Sequence, residues 1–463
     1  MQMEIVKNQT DFKQQLLEKI NHRTAKVSII GLGYVGLPLA VEAAKAGYDI
    51  LGVENNIKRC EKINTGKNYI GDVHDTTFSE LVHQKKIKAS VSFESVQQAD
   101  IIVICVPTPL TKNKEPDISH VKNVTEELCK KIHPGVLIIL ESTTYPGTTE
   151  EIIQTRLESM GYKLGKDLFL AFSPERVDPG NKKFNTANTH KIIGGISSNC
   201  LDLTEAFYAS FISNVVKVSS SRTAEMTKVF ENIYRSVNIA LVNELAILCE
   251  RMDIDVYEVI ATADTKPYGF QAFWPGPGVG GHCIPLDPYY LAWKGKEYDL
   301  HARFIELAGE INENMPRVVL TKTSEILNQR LKSIKGAKIL QLGISYKKDI
   351  DDARESPSVR VYELLTQKGA HVEVVDLFIK EFWTHDHDFT YGNSGPSIKT
   401  IPLTADKLQA ADIVLITTDH TDFPYNYIVE HANVIFDTRN ALGFRNIISN
   451  KIFKLSTRVT QNH

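Results

Sequence analysis

Between Lys26 and Glu54 the chain runs from an apolar stretch, VSII, into the glycine turn Gly31-Leu32-Gly33-Tyr34-Val35-Gly36. A helical stretch, LPLAVEAAKAG, and a second apolar stretch, YDILGVE, follow. A strand that ends in G-x-G-x-x-G and opens a helix fits few folds, because each glycine meets a different steric demand. The first makes the tight turn, the second admits a ligand to the backbone, and the third lets helix and strand pack closely. The spacing alone arises by chance; its place between strand and helix gives it meaning. Further strand candidates follow at IIVICV (101–106), VLIILE (136–141) and LFLAFS (168–173), separated by amphipathic stretches such as ISHVKNVTEELCKKI. This alternation predicts a doubly wound parallel sheet.

Near Ser219 the texture changes. The stretch 223–252, TAEMTKVFENIYRSVNIALVNELAILCERM, lacks Gly and Pro and repeats its apolar residues at helical spacing, so it predicts a long central helix. More helix is expected at VYEVIATAD and around ARFIELAGEINENMP. A second α/β block opens at Ala337 with AKILQLGIS, SPSVRVYELLTQKG and HVEVVD, then ADIVLITTDH (411–420) and NVIFDTRN (433–440). The expected fold class is therefore α/β, with two Rossmann-like, doubly wound parallel-sheet domains joined by a long central helix and a small helical domain. The boundaries drawn are an extension over 1–24, a first Rossmann domain over 25–218, a helical domain over 219–330 and a second Rossmann-like domain over 331–463. Segment 381–400 reads as a polar loop or insertion.

Charge and composition exclude several partners. With 53 basic against 56 acidic residues the net charge is −3, with no basic stripe, so no nucleic-acid partner is expected. No apolar run approaches the ~18–20 residues that cross a bilayer, and the first 26 residues lack the apolar core of a signal peptide. The expectation is no membrane partner and a cytoplasmic location. The six cysteines have no paired spacing for disulfides or zinc, so reduced thiols and no metal are expected.

The glycine turn faces a helix N-terminus towards an anion, and the next strand ends in Glu54, 18 residues beyond Gly36. An acid at that position takes ribose hydroxyls and repels a 2′-phosphate, which favours NAD over NADP. Gly31, Gly33, Tyr34, Val35, Gly36, Glu54 and the nearby Arg59 form the expected cofactor set. Two later strands end in Val106-Pro107-Thr108-Pro109 and in Glu141-Ser142-Thr143-Thr144-Tyr145-Pro146-Gly147. Both fall at the carboxyl edge of the same sheet, where ligands bind, so Pro107, Thr108 and Thr144 are candidates for the nicotinamide end. Prolines that merely terminate strands would look the same.

Cys283 lies in PGPGVGGHCIPLDP (275–288), an irregular loop stiffened by Pro277 and Pro285 and loosened by its glycines. The titratable neighbours His282 and Asp287 suit a thiolate nucleophile, although a buried structural cysteine in a turn fits the segment too. On the central helix Lys228 and Asn232 stand four residues apart and share a face.

The cofactor turn, SPERVDPG (173–180), Lys228 with Asn232, GGHCIPLDP and ISYKKDIDDARESP (344–357) occur in one order. Over about residues 25–450 this resembles the UDP-glucose/GDP-mannose dehydrogenase family. The resemblance implies two Rossmann-like domains, a homodimer or higher homo-oligomer formed through the long helix, and oxidation of a nucleotide-sugar C6 alcohol to a carboxylate in two NAD-dependent steps. It implies that Cys283 carries a thiohemiacetal and then a thioester. Lys228 would steady the oxyanion beside Asn232, while Thr144 and Asp287 hold water and move protons, and Glu175 assists hydrolysis. Substrate contacts implied are Glu175, Arg176, Lys228, Asn232, Gly280, Lys347 for the pyrophosphate, and Arg439. Arg354 would reach the cofactor.

Where UDP-glucose dehydrogenases usually read GGSCFPKD, this chain has His282, Ile284 and Leu286, and Tyr268 lies near a position usually held by arginine. WPGPGVGGHCIPLDPYYL looks like the branch acting on UDP-N-acetylhexosamines. Within it the UDP-N-acetylglucosamine 6-dehydrogenases, which supply surface polysaccharide precursors, are the closer likeness. UDP-N-acetylmannosamine and UDP-glucose remain alternatives. Arg235 and Arg303 are candidate contacts to the acetamido end. A two-electron 3-hydroxyacid dehydrogenase and a non-catalytic sensor are the competing classes.

Overall fold

The computed structural model describes residues 11–111, 113–178, 180–181, 183–281, 284–384 and 395–459. Two compact units result: residues up to 111 with 116–230, and 112–115 with 231 onward, so the division falls inside the helix Ser221–Met252.

The first unit is built on an eight-stranded sheet. Its strands are β1 (Lys26–Ile30), β2 (Asp49–Val53), β3 (Ile87–Ser90), β4 (Ile101–Ile104), β5 (Leu137–Leu140), β6 (Phe169–Phe172), β7 (Lys191–Gly195) and β8 (Val215–Lys217). The order is β3-β2-β1-β4-β5-β6-β7-β8. All pairs are parallel except β6–β7, so the last two strands run against the rest. β4, β5 and β6 are buried at every position because both faces of the sheet are covered. One core holds Val27, Ile29, Val103, Ile139 and Phe169; the other holds Ile30, Ile102, Ile138, Leu140 and Phe172.

Register matters more for function. Ile30 pairs with Val53 and Ile104, Ile104 with Leu140, and Leu140 with Phe172. The residues that follow these strands, Gly31, Glu54, Cys105, Glu141 and Ser173, therefore emerge along one carboxyl edge, where the order reverses between β1 and β4. The N-terminal extension is a helix, Phe12–Asn21, whose Leu16 and Ile20 enter the first core, while Lys13 pairs with Asp202 at 2.7 Å.

The second unit carries β9 (Lys338–Leu342), β10 (His371–Val375), β11 (Glu381–Trp383), β12 (Ser397–Lys399), β13 (Ile413–Ile416), β14 (Ile435–Asp437) and β15 (Ile452–Lys454). β9, β10 and β13–β15 form a parallel sheet in the order β10-β9-β13-β14-β15. The expected loop 381–400 differs: its two ends pair as the antiparallel hairpin β11–β12, and residues 385–394 lie outside the described residues. The helix expected around ARFIELAGEINENMP is present and runs Arg303–Asn328, through Pro316. Pro316 is buried, and packing holds the helix together where the ring has removed one backbone donor. No helix among the described residues is long and apolar enough to cross a membrane.

Candidate active site

In the first unit the glycine turn behaves as its spacing predicts. Gly31 has φ +91°, and a Cβ there would meet the Cys105 carbonyl oxygen at 2.5 Å. A Cβ on Gly36 would lie 1.9 Å from the Gly31 oxygen. At Gly33 the same atom would meet nothing within 4 Å, which leaves open space over the turn for a diphosphate. Tyr34 is exposed, and Val35 offers no side-chain acceptor to the helix it opens, Gly36–Lys45.

Glu54 is held beside this turn and is 4% exposed. Its Oε2 accepts from the Leu32 N–H at 3.1 Å and its Oε1 from the Asn56 N–H at 3.0 Å. Arg59 approaches Oε2 at 3.8 Å and lies over the Tyr69 ring. A glycine cradle with space above it and a fixed carboxylate at its side fits an NAD diphosphate and ribose.

The other strand ends converge behind it. Thr108 Oγ1 donates to the Thr143 carbonyl at 2.6 Å, and Ser142 Oγ donates to that of Val106 at 2.7 Å, tying the two loops together. Pro107 is exposed. Thr144 is 1% exposed, and its Oγ1 finds no partner among the described residues, a hydroxyl available to a ligand or water.

Glu175 is placed by its own chain: Oε1 accepts from the N–H groups of Arg176 and Val177 at 2.7 Å each. Arg176 donates its guanidinium to the His190 carbonyl at 2.8 Å. Lys191 Nζ lies 3.4 Å from Glu175 Oε2 and 2.9 Å from Glu141 Oε1, and Tyr208 donates its hydroxyl to Glu141. Burial works against the charge on Glu175, but Lys191, the two N–H groups and Lys228 hold its carboxyl below the ordinary range. Burial pushes Glu141 up, and also pushes up the Cys105 thiol close by. Lys191 is desolvated as well, yet its two carboxylates raise it. Lys228 is itself buried.

Glu225, a turn before Lys228 on the long helix, accepts from the N–H of Gly147 at 2.5 Å and from Thr149 N–H and Oγ1 at 2.9 and 2.7 Å. Burial pushes its carboxyl up to about 7.

In the second unit Asn232 donates to Asp287 Oδ2 and accepts from Arg235. Asp287 is 3% exposed and begins the helix Asp287–Gly295. The loop that leads to the cysteine is fixed from beneath. Asn243 accepts from the Gly276 N–H at 3.0 Å and donates to Asn312 at 3.0 Å, and Asn312 donates to the Ser236 carbonyl at 3.0 Å. A Cβ on Gly280 would meet Pro357, the Glu355 carbonyl and Tyr346 at 2.6–2.7 Å, so the loop sits directly on those residues. His282 and Cys283 lie outside the described residues. Arg439 Nε donates to the Thr417 carbonyl at 3.1 Å, and its guanidinium passes under Gly276. The carbonyl of Lys347 accepts from Ser345, Arg354 forks onto Asp352 at 2.6–3.1 Å, and Arg303 is exposed at a helix start.

The second sheet repeats the turn of the first. Gly343 N–H bonds to the Val375 carbonyl at 2.8 Å, as Gly31 N–H does to that of Val53, and Asp376 accepts from the Ile344 N–H at 2.7 Å. Here, however, the acid also receives His420 Nε2 at 3.1 Å. The Asp349 N–H donates to His420 Nδ1 at 2.9 Å, which assigns the imidazole proton to Nε2.

Lys191, Glu225, Asn243, Asn312 and Tyr346 were not singled out by sequence. Only Lys191 carried a signal, a lysine opening the apolar run KIIGG.

A dinucleotide cradle on one sheet, and a second Rossmann-like unit with its corresponding acid engaged, define a two-unit NAD-dependent oxidoreductase. Family models agree: residues 25–212 match the NAD binding domain, 222–314 the central domain and 340–444 the UDP binding domain of the UDP-glucose/GDP-mannose dehydrogenase family. Among relatives, a UDP-N-acetyl-D-mannosamine dehydrogenase of Pyrococcus horikoshii is 34% identical over 91% of this chain and 99% of its own. A UDP-N-acetyl-D-glucosamine 6-dehydrogenase of Pseudomonas aeruginosa is 32% identical over 86% and 91%. The solved structure of UDP-D-ManNAc dehydrogenase from Pyrococcus horikoshii has a TM-score of 0.82 at 30% identity, covering 94% of this chain and 100% of that one. The chain belongs to the UDP-glucose/GDP-mannose dehydrogenase family, and its cofactor is NAD.

Proposed function

We propose that this chain oxidises the C6 hydroxyl of a UDP-N-acetylhexosamine to the carboxylate in two NAD-dependent steps, supplying a surface polysaccharide precursor. One observation carries the reading: relatives aligned over nearly their full length are named for UDP-N-acetyl-D-mannosamine and UDP-N-acetyl-D-glucosamine. Motif resemblance favours the glucosamine sugar; the greater number of mannosamine names among the relatives supports the other. The four sequence domains, the homodimer and every catalytic role below belong to this proposal. Exposed Phe230, Leu241 and Leu248 along the long helix support pairing through it.

NAD, when bound, would supply the hydride acceptor for each oxidation. The cradle of Gly31, Gly33 and Gly36 takes its diphosphate and Glu54 its ribose. Lys228 offers a positive charge to the alkoxide or oxyanion, and Asn232 fixes Asp287 as a proton acceptor. Cys283 adds as thiolate to the aldehyde carbon, forming a C–S bond and an oxyanion; loss of hydride then leaves a thioester. For hydrolysis Glu175 takes a proton from water as its oxygen bonds to the acyl carbon. The C–S bond breaks, and the electron pair returns to sulfur. Thr144 Oγ1, buried and without a partner among the described residues, supports a role in orienting that water or the substrate hydroxyl.

The test is NADH formation with UDP-N-acetylglucosamine, UDP-N-acetylmannosamine and UDP-glucose side by side. The reading expects two NADH per sugar with an N-acetylated substrate, and a stalled enzyme for Cys283→Ser. One NADH per sugar, or unchanged turnover in that variant, would reject it.

A further inference from the structure

We propose that Lys191 is a positioning residue for this reaction: bridging Glu141 and Glu175 beneath the carboxyl edge of the first sheet, it keeps Glu175 ionised and aimed. The inference rests on the reading of Glu175 as the base of the hydrolytic step.

Lys191 opens β7, and its side chain is 4% exposed, in the range where an ammonium persists only when paired. Its Nζ lies 2.9 Å from Glu141 Oε1 and 3.4 Å from Glu175 Oε2. Glu141 is held from the far side by the Tyr208 hydroxyl, and the ammonium lies 5.2 Å from the Tyr208 ring centre. Three strand ends, those of β5, β6 and β7, therefore meet through one cation. Glu141, with no exposed side-chain surface, has one oxygen without a partner among the described residues. Glu175 is more open, at 15%.

The groups facing Glu175 are Lys191, Lys228, Glu141, the Cys105 thiol, and the N–H groups of Arg176 and Val177. Both N–H groups bind Oε1, and the ammonium of Lys191 reaches Oε2 at 3.4 Å. Two carboxylates sharing a buried cation have unequal claims on it. Glu141 is the more desolvated and is pushed up, while Glu175 is held down and stays a base. Lys191 thus acts through Glu175, from behind it.

Two substitutions test this on one pH profile. Lys191→Met leaves Glu175 beside a like charge without the cation, so the acid limb of kcat should move up by about one unit or more, and loss of the contact that aims Glu175 should lower turnover ~10-fold or more even at neutral pH. Lys191→Arg should restore most of the activity. Glu141→Gln removes the competing carboxylate and should leave that limb in place or move it down. The assay is NADH formation on whichever UDP-N-acetylhexosamine the native chain oxidises, with circular dichroism confirming the fold. If Lys191→Met does not fold, Glu141→Gln decides alone, and an upward shift there overturns the proposal. Unmoved profiles in a folded Lys191→Met also overturn it, provided Glu175→Gln has lost turnover. Full turnover in Glu175→Gln removes the reading of Glu175 as base, and the inference with it.

Discussion

Glu225 joins the loop that carries Thr144 to the helix that carries Lys228, and its burial makes that joint sensitive to pH. The carboxyl accepts three hydrogen bonds at 2.5–2.9 Å, yet is raised from its ordinary 4.5 to about 7 because the site is desolvated. Between those values the folded chain keeps a proton that the unfolded chain has released. Stability from this group is therefore complete below the unfolded value and is lost as pH rises through the folded one. At ~1.4 kcal/mol per unit, a gap of that size corresponds to roughly 3 kcal/mol. Glu225→Gln carries no charge at any pH, and the fixed cost of turning its amide nitrogen towards an N–H donor does not vary with pH. Urea unfolding of the full chain, followed by circular dichroism from about pH 4 to about pH 8, should give two curves that diverge by roughly 3 kcal/mol, the native chain losing stability and the variant holding it. Protection factors for exchange at Gly147 and Thr149, taken against the intrinsic rate at each pH, should fall over the same window in the native chain alone. Parallel unfolding curves would refute the reasoning.

Two further outcomes are expected. Glu54→Ala removes a charged acceptor for the ribose and should weaken NAD binding by ~10- to 100-fold in titration calorimetry, with NADP affected less; equal NAD affinity would contradict the assignment. Asn243→Ala leaves the Gly276 N–H and the Asn312 side chain short of a partner, a cost of ~1–3 kcal/mol. It should raise KM for the sugar nucleotide and deprotect 275–281 in hydrogen exchange, with NAD affinity unchanged.

Much of the fold was legible because its signals are local. The turn 31–36 needed only glycine sterics, and the long helix needed only the absence of Gly and Pro over 223–252. β7 escaped notice because its apolar run is short and its opening residue, Lys191, looks like a surface lysine; only the fold reveals the two carboxylates around it, Glu175 and Glu141, which lie far off in the sequence. Glu225 was hidden for the same reason, since its partners lie across the chain at 147 and 149. The run of the helix on through Pro316 to Asn328 carries no local signal, because packing in the second unit holds it together past the proline. Of the candidate site, the residues on strand ends could be ranked by motif, but the asparagines bracing the 275–281 loop follow no spacing rule.

His420 gives the second sheet its own character. By closing on Asp376, the imidazole puts a neighbour on this acid that Glu54 lacks in the first sheet, so two look-alike turns present different chemistry at the same register position.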